Sequence, residues 1–267
     1  MGSLDGKVAL ITGAARGQGR SHAVALASEG ADIVVCDVPR RMSTLTYPLA
    51  TRQDLELTAK LVEQAGRRCL AVRLDVRDAA AVDSAVEQTV RELGRLDIVV
   101  ANAGVVSTGP LAELTDEGWD ELVSTNLGGV FHILRAAIPV MRRQKFGRIV
   151  VTSSMGGRMG IPNLAAYNAT KWGTIGMAKS LALEVAKEGI TVNVICPTTV
   201  QTPMVQPDPD AEVPDDLIKQ MLRANPVPQP WLQPEDVSRG VLYLVTDPGV
   251  ITGSVLEVGL GSSARMH

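Results

Sequence analysis

Aromatic residues, cysteine and surplus charge are all scarce in this 267-residue chain. Two Phe, three Tyr and three Trp make up 3% of it, so the core must consist of aliphatic side chains and alanine. The chain has 26 Lys and Arg and 29 Asp and Glu, so it has no basic surplus for binding nucleic acid or an anionic membrane. No run reaches the roughly 18 apolar residues of a membrane helix, and the start lacks a signal-peptide apolar region.

The three cysteines, Cys36, Cys69 and Cys196, are too few and too widely spaced to indicate a disulfide framework. They form neither a CxxC pair nor a ligand cluster with the three histidines, so no metal site is predicted. A reduced, cytoplasmic compartment fits this use of cysteine best. The 45% of hydrophobic residues is typical of a globular protein with a sizeable core.

Short β-branched runs alternate with longer segments whose apolar positions have helical spacing. Seven runs are candidate strands, at 8–11, 32–36, 70–74, 96–100, 148–152, 190–195 and 254–258. Strands that are apolar throughout and separated by helices predict a doubly wound α/β fold, with a parallel seven-stranded sheet and helices on both faces. No interior stretch reads as a linker, so residues 1–267 are predicted to form one domain.

Two segments interrupt this alternation. Residues 38–51 hold two prolines and no clear period, which indicates a long loop before a helix capped by Thr51 and Asp54. Residues 203–234 hold eight prolines around one amphipathic patch at 217–222. Because long loops in compact domains are often functional, the second segment is predicted to be a flap over a substrate pocket.

A glycine-rich turn, residues 12–20 (TGAARGQGR), directly follows the first candidate strand and precedes a helix. Glycines there let the backbone approach a pyrophosphate at the positive helix N-terminus. The second strand ends at Asp37, whose carboxylate can bind the adenosine ribose hydroxyls and repel a 2′-phosphate. NAD is therefore favoured over NADP, although Arg16, Arg40 and Arg41 could pair with a 2′-phosphate.

Tyr167 and Lys171 lie at i and i+4 of a predicted helix and so share a face. A nearby ammonium favours the phenolate, so this pair is expected to lower the pKa of Tyr167 and make it a proton-transfer group. Ser154 ends the fifth strand, at the edge where this fold class places ligand contacts, and its hydroxyl can polarise a carbonyl. The candidates for lining an apolar substrate pocket are Met155, Met159 and Met204, together with Trp231.

Taken together, these motifs resemble the short-chain dehydrogenase/reductase family, a Rossmann-fold family, over nearly the whole chain. The motifs in order are Thr12-Gly13-x-x-x-Gly17-x-Gly19, Asn102-Ala103-Gly104, Ser154 and Tyr167-x-x-x-Lys171. The resemblance implies that Tyr167 is the catalytic base for alcohol oxidation or the acid for ketone reduction. It also implies that Lys171 binds the nicotinamide ribose, that Ser154 holds the substrate oxygen, and that Asn126 supports a water relay to the lysine.

The same resemblance implies the cofactor contacts. Asp75 and Val76 match the pair beside the adenine, and Thr202 matches the threonine at the nicotinamide carboxamide. The full implied set is Gly13, Arg16, Gly17, Gln18, Gly19, Asp37, Val38, Asp75, Val76, Asn102, Ala103, Gly104, Tyr167, Lys171, Pro197, Thr198, Val200 and Thr202. Thr198 stands where the family usually has glycine, and Ala101 where it usually has asparagine.

The 38–51 loop and residues 196–204 resemble the carveol dehydrogenase-like, mycofactocin-associated subgroup. That resemblance implies a terpenoid-like secondary alcohol as substrate, a loop that covers NAD so that it exchanges poorly, and mycofactocin as a redox partner. The family also implies a homotetramer built from paired long helices. Two other functions stay open: an NADP-dependent 3-ketoacyl or carbonyl reductase of the same family, and a noncatalytic dinucleotide-sensing protein.

Overall fold

The structure, a computed structural model, describes residues 2–38, 42–206 and 213–265. Seven parallel strands form one sheet in the order β3-β2-β1-β4-β5-β6-β7. Their bounds are β1 Val8–Thr12, β2 Asp32–Asp37, β3 Cys69–Arg73, β4 Ile98–Ala101, β5 Gly147–Thr152, β6 Ile190–Pro197 and β7 Val255–Val258. The predicted doubly wound, seven-stranded fold is confirmed.

The described residues form eight α-helices, six of which pack on the two faces of the sheet. They are α1 Gly17–Ser28, α2 Arg52–Gln64, α3 Ala79–Leu93, α4 Asp116–Leu122, α5 Gly129–Gln144, α6 Ala165–Val185, α7 Asp215–Ala224 and α8 Pro234–Thr246. One core packs α1, α2 and α8 against the sheet, and the other packs α3, α5 and α6 against the opposite face.

The central strand β1 shows why the strands read as unbroken apolar runs. Its side chains alternate between the two cores, with Val8 and Leu10 in one and Ala9 and Ile11 in the other. The strand order reverses beside β1, which pairs with β2 on one side and β4 on the other. Doubly wound folds bind ligands at the carboxyl ends of such neighbouring strands.

The two irregular segments partly match their prediction. The long loop ends where predicted, because Thr51 and Asp54 form a reciprocal capping box at the start of α2. The segment 203–234 contains a regular helix, α7, where only an amphipathic patch was recognised. Residues 39–41, with Arg40 and Arg41, and residues 207–212 lie outside the described residues. No helix in the described part is long and apolar enough to cross a membrane.

A π-helical turn, Val123–Gly128, joins α4 to α5 without a break. The i→i+5 bonding widens the helix by one residue per turn, and such turns often mark functional sites. Thr125 and Asn126 are both buried on its inner side. The sequence analysis did not anticipate this turn.

Asp97 anchors the end of the sheet opposite the glycine turn. Its fully buried carboxylate accepts hydrogen bonds from the Val8 N–H at 3.0 Å and from Arg95 at 2.6 Å through two nitrogens. We expect Asp97→Ala to lower the free energy of unfolding by about 3 kcal/mol, because the Val8 N–H loses its acceptor inside the protein. Urea denaturation measures this change.

The exposed ion pair of Asp83 with Arg135, at 4.0 Å, provides the control for that substitution. Asp83→Ala should change the free energy of unfolding by less than about 0.5 kcal/mol, since both groups stay in water. Equal effects of the two substitutions would contradict the role given to Asp97.

Candidate active site

The glycine turn between β1 and α1 leaves no space for side chains. Gly13 has φ +66° and Gly17 has φ +55°, conformations that favour glycine. A Cβ on Gly13 would lie 2.8 Å from the Ala103 Cα, and a Cβ on Gly19 would lie 2.1 Å from the Gly13 carbonyl oxygen. The turn is therefore a bare backbone surface at the N-terminus of a helix, which suits a phosphate group.

Asp37, at the end of β2, is held against this turn. Its carboxylate accepts hydrogen bonds from the Ala15 N–H at 2.9 Å and from the Val38 N–H at 2.8 Å. Burial raises the pKa of Asp37, and these two backbone donors act in the opposite direction. The neighbouring Arg16 guanidinium donates to the carbonyl oxygen of Pro48 in the long loop.

A cavity, here named the turn cavity, opens over these residues. Two buried oxygens in its wall, Gln18 Oε1 and Thr125 Oγ1, have no hydrogen-bond partner. The predicted cofactor-binding residues in its wall are Gly13, Arg16, Gly17, Gln18, Gly19, Asp37, Val38, Asp75, Val76, Asn102, Ala103, Gly104 and Thr202. A ligand with polar groups along its length would satisfy the two orphaned oxygens.

The far end of the turn cavity is built by Asp75 and Val76, just after β3. The Arg77 guanidinium binds both carboxylate oxygens of Asp75, at 2.6–3.1 Å, which sequence reasoning missed. His132 Nδ1 lies 2.8 Å from the Val76 carbonyl oxygen. Both contacts fix the segment predicted to face the adenine.

Asn102 ties β4 to the glycine turn. Its side-chain amide donates to the carbonyl oxygens of Thr12 and Gly13, while the Thr12 hydroxyl accepts from the N–H groups of Asn102 and Ala103. Thr202 reaches the same place from the other side, because a Cβ on Gly17 would lie 3.1 Å from its methyl carbon. Segments far apart in sequence thus meet at one surface.

Ser154, Tyr167 and Lys171 come together beside the turn cavity. Ser154 follows β5 and hydrogen-bonds the Tyr167 hydroxyl, while its own oxygen accepts the Gly156 N–H at 3.1 Å. Lys171 Nζ lies 5.6 Å from the centre of the Tyr167 ring and donates to the Thr152 carbonyl oxygen at 3.0 Å. The i, i+4 spacing on α6 places both side chains as predicted.

Burial dominates the titration of this pair. It raises the pKa of Tyr167, although the hydrogen bond with Ser154 acts in the opposite direction. It also lowers the pKa of Lys171 to about 8, because an ammonium without solvent is unfavourable. The expectation of a lowered pKa for Tyr167 is thus wrong for the protein alone, since removal of the phenol from water outweighs the hydrogen bond with Ser154.

Asn126 holds the floor of the site through the π-helical turn. Its side-chain oxygen accepts the Val105 N–H at 2.8 Å, and its amide donates to the Val105 carbonyl oxygen and to Thr170 Oγ1. A Cβ on Gly104 would lie 3.3 Å from Asn126 Oδ1 and 3.4 Å from Lys171 Nζ. Asn126 therefore joins the loop after β4 to helix α6 below the lysine.

A second cavity of about 510 Å³, here named the tyrosine cavity, adjoins the turn cavity. The predicted residues in its wall are Gln18, Asn102, Gly104, Ser154, Tyr167, Lys171, Pro197, Thr198, Val200 and Thr202. Its remaining wall is mostly apolar and includes Met155, Met159, Met204 and Met221. Trp231 is not in this wall, so its predicted place in the pocket is wrong, whereas the three methionines named with it are there.

The long loop lies across the turn cavity. Met42 and Leu49 pack with Val105, Leu122 and Ala166 on the far side of that cavity. Two of the loop's hydroxyls, Ser43 Oγ and Thr44 Oγ1, donate to the carboxylates of Glu117 and Glu121 on α4, respectively. The described part of the loop, residues 42–51, is therefore held to α4 near its start and ends at the cap of α2.

The three cysteines offer no reactive thiolate. Burial raises the pKa of Cys36, raises that of Cys69 to about 12 and raises that of Cys196 to about 11. Within the described residues, no group of three His, Cys, Asp or Glu side chains could hold a metal ion.

The geometry of the site can be compared with known proteins. The sequence pattern of the family described as short chain dehydrogenase matches residues 7–213. The chain belongs to this family. The family assignment makes it an oxidoreductase, and the matched region includes both the glycine turn and the Ser154, Tyr167 and Lys171 group.

Individual relatives are similar over the full length. The (-)-trans-carveol dehydrogenase of Rhodococcus erythropolis is 42% identical over 277 residues, which cover 99% of this chain and 100% of that protein. A crystal structure of carveol dehydrogenase from Mycobacterium avium in complex with NAD has a TM-score of 0.94, at 42% identity over 99% and 100% of the two chains. A short chain dehydrogenase from Mycobacterium paratuberculosis bound to NAD has a TM-score of 0.89, at 35% identity over 99% and 100%.

Proposed function

We propose that this protein is an NAD-dependent oxidoreductase that interconverts an apolar, terpenoid-like secondary alcohol and its ketone, with Tyr167 as general base. The observation that carries the proposal is that the tyrosine cavity, which is lined by Ser154, Tyr167 and Lys171, shares part of its wall with the turn cavity. The shared wall includes Gln18, Asn102 and Gly104. The similarity to carveol dehydrogenases supports it, as do the NAD complexes of two relatives.

The residues present fit a dinucleotide. The bare glycine turn suits its pyrophosphate, the Asp37 carboxylate suits its adenosine ribose, and the orphaned Gln18 and Thr125 oxygens need hydrogen-bonding partners. When bound, NAD would supply the hydride acceptor for the alcohol carbon.

Three side chains handle the alcohol proton. Tyr167 takes the proton of the substrate hydroxyl as the carbon–hydrogen bond breaks, and in ketone reduction it returns that proton. Ser154, within hydrogen-bond reach of the Tyr167 oxygen, donates to the substrate oxygen and stabilises the charge that develops there. Lys171 provides a nearby cation that favours the phenolate and binds the nicotinamide ribose.

Activity and cofactor content together test this function. The purified protein should carry or bind NAD, identified by dinucleotide absorbance and mass, and should oxidise carveol-like secondary alcohols. An NADP-dependent reductase would instead prefer NADP and a ketone. A dinucleotide sensor would bind NAD tightly and turn over no alcohol, even with an artificial electron acceptor.

Asp37 should set the preference for NAD over NADP. Asp37→Ala is expected to reduce the ratio of NAD to NADP affinity by about 10–100-fold, because removing the carboxylate removes both its ribose contact and its repulsion of a 2′-phosphate. Titration of both dinucleotides measures the ratio. Arg16 already donates to the Pro48 carbonyl oxygen, which weighs against its use in binding a 2′-phosphate. A wild-type protein that prefers NADP would refute the role of Asp37.

The long loop acts as a lid that retains NAD within the turn cavity. Its packing on Val105, Leu122 and Ala166 and its hydrogen bonds to α4 support this role. Retained NADH must be reoxidised in place, so an external carrier of the mycofactocin type completes the cycle. Gel filtration followed by absorbance at 260 and 340 nm tests retention, and rapid loss of the dinucleotide would contradict the lid.

Helices α5 and α6 form the contact between copies in a homotetramer. Phe131 on α5 and Trp172 and Leu183 on α6 are 45%, 50% and 85% exposed, unusually high for large apolar side chains. Trp172→Asp should shift the protein to a smaller species in light scattering, since a charge buried between copies is unfavourable. Leu57→Asp, at a position of α2 that is 45% exposed, should leave the mass unchanged. A monomeric wild type would contradict the tetramer.

A further inference from the structure

Tyr47 is a buried side chain in a long surface loop. It is only 9% exposed, and it lines the turn cavity together with Met42, Leu49 and Ala50 of the same loop. Its hydroxyl oxygen accepts a hydrogen bond from the Val106 N–H at 2.9 Å. Loop side chains usually stay in water, so an aromatic ring turned inward against a ligand cavity suggests a contact beyond simple packing.

The hydrogen of the Tyr47 phenol is left to donate. A phenol donates one hydrogen bond and accepts others, and the Val106 N–H uses only its accepting capacity. Among the described residues, none accepts the phenol hydrogen. Burial raises the pKa of Tyr47 to about 12, so the group keeps this hydrogen at neutral pH. A buried donor without an acceptor is unfavourable, which makes a ligand oxygen in the cavity a good partner.

The position of Tyr47 in the turn cavity determines which part of a bound ligand its phenol can contact. Val106 lies two residues after Gly104, whose surroundings include Lys171 Nζ, and the Tyr167 phenol is close enough to raise the pKa of Tyr47. The residue after Tyr47, Pro48, accepts a hydrogen bond from Arg16 of the glycine turn. The phenol thus lies between the glycine turn and Tyr167.

We propose that Tyr47 is a cofactor-binding residue whose phenol donates a hydrogen bond to an oxygen of the diphosphate or ribose in the nicotinamide half of NAD. The inference rests on the proposed function, because it needs a dinucleotide in the turn cavity. The long loop then contacts the cofactor as well as α4. Ligands that lack the nicotinamide half do not gain this hydrogen bond.

Binding of three probes to Tyr47→Phe tests the contact without any turnover. NADH and ADP-ribose contain the diphosphate and second ribose, whereas AMP contains only the adenosine half. Titration calorimetry should give about 10-fold weaker binding of NADH and ADP-ribose, the loss expected for one neutral hydrogen bond. AMP binding should change less than about 2-fold, and so should binding of all three probes to Tyr243→Phe, which alters an exposed phenol.

The pattern across the probes separates the possible failures. An equal loss for AMP would mean that Tyr47 only holds the loop to Val106 and would overturn the contact. Unchanged NADH and ADP-ribose binding would overturn it as well, while leaving the proposed function intact. A wild-type protein that binds neither NADH nor ADP-ribose would overturn both.

Discussion

Replacing Tyr167 with Phe is expected to lower kcat by roughly 10³-fold, within the range that general acid–base catalysis contributes. Phe keeps the ring that packs in the tyrosine cavity and removes only the hydroxyl that hydrogen-bonds Ser154. The substrate hydroxyl then has no group to take its proton. Steady-state rates with a secondary alcohol, measured at saturating NAD, give the size of the loss.

The cofactor should remain bound in that variant, because the glycine turn and Asp37 are untouched. NADH affinity is expected to stay within about 3-fold of the wild type, since one hydrogen bond at most is lost. Tyr243→Phe, which changes a phenol that is 58% exposed on α8, should keep full activity. Full activity in Tyr167→Phe would refute the mechanism, and loss of NADH binding would show that the ring has mainly a structural role.

Replacing Lys171 with Met is expected to stop turnover and at the same time to stabilise the ligand-free protein at pH 7. The lysine is 4% exposed, and burial lowers its pKa from 10.5 to about 8, which corresponds to roughly 3 kcal/mol of unfavourable charge burial. Met also loses the hydrogen bond to the Thr152 carbonyl oxygen. We therefore expect a net gain of roughly 1–2 kcal/mol in the free energy of unfolding.

The pH dependence identifies the cause of that gain. Below pH 8 the folded wild type must hold the buried ammonium, so the penalty is present in full. Between pH 8 and 10.5 the unfolded lysine is still protonated while the folded one is neutral, so wild-type stability rises with pH. The gain of Lys171→Met over the wild type should therefore be largest at pH 7, should fall as the pH rises above 8, and should reverse by about pH 10.5, where only the lost hydrogen bond to the Thr152 carbonyl oxygen remains.

Urea denaturation at several pH values measures this difference. Lys179→Met provides the control, because Lys179 is exposed on the same helix and its substitution should alter stability little at any pH. A gain for Lys171→Met that does not change with pH would come from packing and not from charge burial. A loss of stability at every pH would contradict the expected penalty.

The sequence was enough to predict the sheet, because its strands are mostly apolar runs and the central ones are covered by both cores. Val8 to Ile11 is such a run, and its alternation between the two cores explains why no polar residue interrupts it. The Thr51 cap and the shared face of Tyr167 and Lys171 follow from spacing within a single helix. Features of this kind depend only on neighbours in the chain.

Contacts between distant segments were not predictable in the same way. The inward position of Tyr47 and its hydrogen bond with the Val106 N–H depend on how separate loops meet. The pKa of Tyr167 was expected to fall, because spacing places a lysine nearby, but spacing contains no information about burial. Only the folded chain shows that burial raises the pKa of Tyr167.

The π-helical turn at Val123–Gly128 makes the orientation of α4 relative to α5 depend on the number of residues between them. An α-helix rotates by about 100° per residue, so one extra residue within a continuous helix must be absorbed by a wider turn. Deleting one residue there would restore the regular pitch and would rotate α4 by about 100° relative to α5. Asn126 could then hydrogen-bond Val105 only if α4 or α5 left its packed position. The extra residue of the turn is therefore needed both for the packing of the two helices and for the position of Asn126.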